Sequence, residues 1–224
     1  MLSLSLKKIL VAFGILLLIG IGGRFFLRDV LHYFIFTEKS YTPYFWSRNI
    51  GLFTHVLFGM TAFLLGPFQF IPGIRKNYAK THRTVGKIYL CSIAVAAPAG
   101  IYMAITSNVN FVYASGLFML ALAWITTSLI AYISIRKGLI TIHREWMVRS
   151  YVVTFAFATF RLFDDVLGKL GVGPDDLRAA LLSWACWAVP LFAVEVILQI
   201  RKFNKLRLAI GKKSSVTVAN SAEN

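Results

Sequence analysis

The sequence predicts an all-α, polytopic membrane protein with six transmembrane helices, the second to fifth forming a four-helix core and the first and sixth flanking it. Three observations lead there. Hydrophobic residues make up 58% of the 224 residues and charged ones only 15%, with a mean hydropathy of +0.69, a balance far from that of soluble domains. Six windows reach or approach the roughly 20 apolar residues that a spanning helix needs. They cover 9–23, 50–72, 84–106, 111–135, 147–168 and 178–200. The joints between them are short, so no soluble domain has room to fold. The chain therefore reads as one transmembrane domain over 1–208 and a short polar tail over 209–224, expected to be disordered.

The first window, "ILVAFGILLLIGIGG", follows Lys7 and Lys8 and lacks an A-x-A-like cleavage site after it, so it is read as a retained helix rather than a signal peptide. In the second, "GPFQFIP" contains Pro67 and Pro72, which should bend or end the helix and free carbonyls for Gln69 or a neighbour to satisfy. Pro98 is expected to kink the third in the same way. Cys91 and Cys186 fall inside spans, where a thiol behaves as a small hydrophobe, and they suggest neither a disulfide framework nor a zinc site.

Charge sets the expected orientation. With the amino terminus in the cytoplasm, 17 of the 24 basic residues and three of the nine acidic ones lie inside, a net +14, against +1 outside. The positive-inside bias thus explains nearly all of the +15 and puts both termini in the cytoplasm of a multi-pass inner-membrane protein. A high pI of this origin calls for the lipid bilayer and its anionic head groups as partners, not nucleic acid. No Gly-rich nucleotide loop, metal-spaced cysteine pair or nucleophile–base arrangement is present, which argues against a hydrolase or a flavin enzyme.

The four histidines then separate. His32 lies in the aromatic segment "RDVLHYFIFTEKSYTPYFWSRN", expected to lie along the outer interface, where it is solvated. His55 sits near the outer end of the second helix. His82 and His143 open the third and fifth helices at the inner face, in a weak repeat: "KTHRTVGKIY" and "TIHREWMVRSY" share His-Arg at a helix start and a tyrosine seven or eight residues later. Two hairpins related by an axis along the membrane normal would bring both to one depth.

Helical spacing places His143, Met147, Ser150, Thr154, Ala158, Arg161 and Asp165 on one face, too polar for lipid. His55, Gly59, Ala62, Gly66 and Gln69 form a second stripe, and His82, Gly86, Ala97, Gly100 and Ala104 a third. Such small-residue stripes either pack helices closely or leave a slot for a flat cofactor. Arg161 is expected to pair with Asp164 or Asp165, and Glu195 to meet Arg149 or snorkel.

The motifs "THVLFGMTAFLLGPFQF", "THRTVGKIYL" and "IHREWMVRSYVVTFAFATFRL" resemble a bacterial membrane-protein family known as domain of unknown function 2306, over residues 52–163. The resemblance marks His55, Gln69, His82, Arg83, Gly86, His143, Arg144, Met147, Arg149 and Arg161 without naming a reaction. The architecture is more distantly similar to the ascorbate-dependent transmembrane di-haem cytochrome b family, whose third and fifth helices supply one bis-histidine haem and whose second and fourth supply the other. That likeness implies haem b held by His82 and His143, with Arg83, Arg144 and Arg149 on its propionates. His55 would fit half of a second site. The fourth segment contains no histidine, so His32 or Met60 would have to complete it.

Two functions stay open at this level. One is membrane electron transfer from a quinol or another electron carrier, or a metal-linked oxidoreductase, with His82 and His143 as metal ligands. The other is a small transporter, binding or assembly protein in which His55, Gln69 and Arg161 line a polar pocket.

Overall fold

A computed structural model describes residues 4–222, with side chains described at Ile9 and from 12 to 207. The basic flank at Lys7 and Lys8 and the side chains of the tail lie outside those residues. The fold is all-α. Helix α1 spans Leu4–Arg24, α2 Asn49–Leu65, α3 Ala79–Ile105, α4 Phe111–Arg136, α5 Ile140–Thr154, α6 Ala156–Lys169 and α7 Asp175–Ala222. Among the described residues, four segments are long and apolar enough to cross a membrane, at Asn49–Phe70, Ala79–Ile105, Phe111–Arg136 and Asp175–Arg207. Of the six expected spans, the fifth is divided: the helix breaks at Phe155 into α5 and α6, 15 and 14 residues long. Beyond residue 209, where the polar tail begins, helical backbone continues to Ala222.

The helix breaks follow from identifiable residues. Pro67 has no N–H to offer the carbonyl of Phe63 four residues earlier, so α2 stops at Leu65 and the chain tightens into a 3-10 turn over Gly66–Phe70. The freed carbonyl takes a hydrogen bond from the Tyr151 hydroxyl at 3.3 Å. Gln69 does not supply it: the turn carries its side chain away, and its Nε2 is buried with no partner. At the α5–α6 break, the Thr154 hydroxyl donates back to the Ser150 carbonyl at 2.8 Å, a local bond known to bend helices. α3, by contrast, continues without a break through Pro98.

Packing makes the core wider than four helices. The main apolar cluster draws on Ala62 of α2, Tyr89 and Ile93 of α3, Leu120 and Trp124 of α4, Met147 and Val153 of α5, Phe160 of α6, and Leu182 and Cys186 of α7. So α7 contributes to the core rather than only flanking it. A second cluster joins Phe25, Val30, Met60, Phe63 and Ala158 beside α1. Close approach depends on glycine at two places. A Cβ on Gly116 of α4 would overlap Ser183 of α7, and one on Gly66 would enter the Tyr151 ring. Outward, α1 exposes Phe13, Leu16 and Ile19, and α7 exposes Val189, Phe192 and Phe203, the surface a lipid-facing helix presents.

The two ends of the bundle differ. At one, the Tyr44 hydroxyl donates to the Thr106 carbonyl at 3.1 Å and accepts from the Asn108 amide at 3.1 Å, and Asn110 reaches the Asp176 carbonyl at 3.3 Å. This Tyr44 end gathers the starts of α2, α4 and α7. The opposite, His82 end gathers the starts of α3 and α5.

Tyr151→Phe should destabilise the protein by about 1 kcal/mol, because it leaves the Phe63 carbonyl unsatisfied in an apolar span. Pro67→Ala returns an N–H to that carbonyl, so the double variant should lose less than Tyr151→Phe alone. Thermal unfolding in one detergent compares all three.

Candidate functional site

At mid-bundle the side chains form a hydroxyl cluster. The Tyr89 hydroxyl lies 2.7 Å from Ser150 Oγ and 3.0 Å from Thr154 Oγ1, Ser128 Oγ lies 2.8 Å from Ser150 Oγ, and Trp124 Nε1 donates to Thr154 Oγ1 at 2.8 Å. Three helices, α3, α4 and α5, are tied by it. Ser150 is fully buried and Tyr89 equally so. With the Thr154 proton on the Ser150 carbonyl, Thr154 Oγ1 accepts from Tyr89 and Trp124, Tyr89 accepts from Ser150, and Ser128 donates to Ser150, so every hydroxyl has a partner within the cluster.

Between this cluster and the Tyr44 end lies a cavity of about 210 Å³. His55 and Gly59 of α2, Gly100 of α3, Trp124 of α4 and Phe157 and Arg161 of α6 line it, and Tyr33, Tyr44 and Phe45 of the aromatic segment close the end. That segment folds on itself instead of lying flat: Phe36 packs on Tyr41, Trp46 and Phe53 at 5.3–5.7 Å between ring centroids, and Tyr41 is buried with its hydroxyl on the Tyr33 carbonyl at 3.0 Å. Arg48 braces it, stacked on the Tyr44 ring at 3.3 Å and donating to the Thr106 carbonyl.

His55 is oriented by α3. Its Nδ1 lies 2.9 Å from the Ala96 carbonyl; a carbonyl only accepts, so Nδ1 carries the proton and the Nε2 lone pair is left over. The ring can lie there because Gly100 has no side chain: a Cβ would stand 3.0 Å from His55 Nδ1 and Cε1. Trp124 and Phe157 meet the imidazole edge-on at 6.3 and 6.4 Å. On α4, then, tryptophan stands opposite His55 where a second bis-histidine site would need a ligand. Of the two substitutes considered, Met60 lines the same cavity and His32 is exposed.

Arg161 is not paired as its sequence spacing suggested. Asp164 accepts from Arg178 Nε at 2.7 Å, and Asp165 is taken by Arg24 and Arg28 of the α1 side. Tertiary partners with better geometry displaced the neighbours on its own helix. Among the described residues no carboxylate lies within 4.0 Å of Arg161, whose guanidinium sits 5.9 Å from the Phe160 ring. Its charge is felt at the cavity mouth: partial burial, and then Arg161, push the His32 imidazole below its ordinary value, with Asp29 opposing.

The two repeat histidines open α3 and α5 at the same, His82 end of the bundle. His143 Nδ1 lies 2.8 Å from the Ala131 carbonyl, which again leaves Nε2 free, while His82 Nδ1 is buried without a partner. Gln69 belongs to this end, with Oε1 against Gly86, and so does not join His55 and Arg161. Met147 is buried in the core. Arg83 and Arg144 are exposed. Arg149 is buried and engaged: it donates to Glu195 Oε2 through Nε at 2.9 Å and through Nη2, and stacks on Trp146 at 4.6 Å. Its Nη1 is buried without a hydrogen-bond partner. Among the described residues, no group of three or more His, Cys, Asp or Glu side chains is arranged to hold a metal ion.

Sequence reasoning missed Tyr89, Trp124, Asp29 and Phe157. Only Tyr89 had a signal, as the tyrosine of the first repeat, whose counterpart Tyr151 holds the Phe63 carbonyl.

A family model described as "Predicted membrane protein (DUF2306)" matches residues 52–198. No curated protein and no solved structure matches the chain.

Gly100→Ala should displace the His55 ring and cost about 1 kcal/mol through the lost bond to the Ala96 carbonyl. Because Trp124 packs on that ring, a shift in tryptophan emission with little loss of folded protein checks the displacement.

Proposed function

The chain belongs to the DUF2306 family of predicted membrane proteins, and on that premise we propose that it binds a small amphipathic molecule taken from the bilayer, in the cavity under the Tyr44 end. We further propose six crossings, with α1 and the bent α5–α6 pair joining the four long spans, and both termini in the cytoplasm. The cavity then opens in the outer half of the membrane, and the His82 end faces the cytoplasm of a bacterial inner-membrane protein.

One observation supports the binding reading above the others: His55 and Arg161, two intramembrane ionisable groups from different helices, line the same cavity. Such groups are expensive in a bilayer and are functional candidates by default. The aromatic and apolar walls around them suit a ligand with one polar end. Whether the ligand is carried across or only held depends on motion at the break between α5 and α6, where the wall formed by Phe157 and Arg161 meets the hydroxyl cluster.

Filling the cavity tests this reading. Gly59 lines it, and a Cβ there meets only Trp124, at 3.9 Å. Gly59→Leu should therefore fold and lose any small molecule that copurifies with the wild type and is released into organic solvent. If the wild type carries none, and decanol, decanoate and naphthoquinone all leave its thermal unfolding unchanged, the reading is wrong.

A second reading, supported by the orientation of the inner pair, is that His82 and His143 ligate one haem b. His143 is fixed through Nδ1 to a backbone carbonyl, the outer-shell contact that metal-binding histidines use. His82 has a buried nitrogen with no partner in the protein. Arg83 and Arg144, exposed at that end, would meet the haem propionates. A bound haem would exchange one electron at a time with a quinol or another carrier. Protein expressed with added haem should show a Soret band that His82→Ala with His143→Ala abolishes; a colourless wild type, or a band that survives in the double variant, defeats this reading.

A further inference from the structure

Around the cavity mouth Arg24, Arg28, Arg161 and Arg178 stand among as many aspartates, Asp29, Asp164, Asp165 and Asp175, but the pairing leaves one arginine out. Arg24, Arg28 and Arg161 face Asp29 and Asp165, and both carboxylates are committed on the α1 side: Asp165 to Arg24 and Arg28, and Asp29 to Arg24 at 3.6 Å. Asp164, one turn from Arg161, belongs to Arg178, which Asp175 holds as well, at 2.8 Å. Arg161 is the arginine left with no carboxylate within 4.0 Å among the described residues, and its guanidinium lines the cavity. A cation in a membrane-buried wall is costly without a counter-ion.

Below Arg161 the wall is mostly apolar, with Phe157, Met60, Leu120 and Trp124 leading towards mid-bundle beside His55 and Thr154. We propose that the ligand of this cavity is an anionic amphiphile of the carboxylate class, with its head group on Arg161 and its hydrocarbon chain directed towards Trp124 and the hydroxyl cluster. A guanidinium matches a carboxylate with two parallel hydrogen bonds, and arginine stays charged at every working pH. Asp29, which lines the same mouth and has Oδ2 buried without a hydrogen bond, disfavours a head group of more than one negative charge. It limits affinity, so that the molecule can leave. The inference rests on the cavity-binding reading above and adds the sign of the ligand.

Binding of decanoate, decanol and decyltrimethylammonium to the full chain in phosphatidylcholine nanodiscs, at alkaline pH where decanoate is ionised, provides the test, read by thermal unfolding. Decanoate should bind best. Arg161→Gln should weaken decanoate by roughly tenfold or more, the loss of one charge-assisted pair, and leave decanol unchanged, which shows that the cavity is intact. Asp29→Asn should tighten decanoate, and this decides the matter if Arg161→Gln does not fold. Equal binding of decanoate and decanol in the wild type, or tighter binding of the ammonium compound, overturns the carboxylate assignment and leaves the cavity reading standing. Binding of none of the three overturns the cavity reading, and the carboxylate assignment with it.

Discussion

The hydroxyl of Tyr89 sits at the centre of the bundle, and the rest of the arrangement depends on its two bonds. By holding Ser150 and Thr154 of α5 while Trp124 and Ser128 of α4 hold them from the other side, it fixes the point at which the fifth transmembrane segment bends. In water such bonds would exchange with solvent and count for little. In an apolar span each unmet donor or acceptor is a direct loss, so a closed set of hydroxyls is the arrangement that lets polar side chains remain there.

The cavity follows from that bend. Past the break at Phe155 the first turns of α6 bring Phe157 and Arg161 to the cavity wall beside Val153 of α5, whereas Met147 packs in the core. Glycines then make room where the helices would otherwise close up. Gly100 gives the His55 ring its place on the Ala96 carbonyl, and Gly59 leaves space beside Trp124. Packing and function therefore share the same small residues: Gly66 and Gly116 are present because a neighbour fills the space, Gly59 and Gly100 because a side chain or a ligand needs it.

The His82 end works differently. Its polar groups are distributed among separate tasks: Arg149 binds α7 through Glu195, Lys202 pairs with Glu145 at 2.7 Å, and Gln69 fills the gap at Gly86. His82 Nδ1 is buried there without a partner, as are Gln69 Nε2 and Arg149 Nη1, and His143 keeps its Nε2 free.

Composition and hydropathy alone determined that the chain is an α-helical membrane protein, because a bilayer accepts little else from a sequence with this many apolar windows. Periodicity also placed His55, Ala62, Met147, Ser150 and Thr154 on inward faces, since neighbours three and four apart on a helix share a side whatever surrounds them. The two histidines of the repeat, His82 and His143, open helices at one end of the bundle. What only the tertiary structure decided was the pairing. Asp164 and Asp165 stand one turn from Arg161, yet arginines from α1, its continuation and α7 claim them. Gln69 shares a sequence stripe with His55, yet Pro67 turns it to the opposite end. In both cases a partner distant in the chain made a better bond than the one that spacing offered, and an uncompensated charge in a cavity is a property of all those choices together.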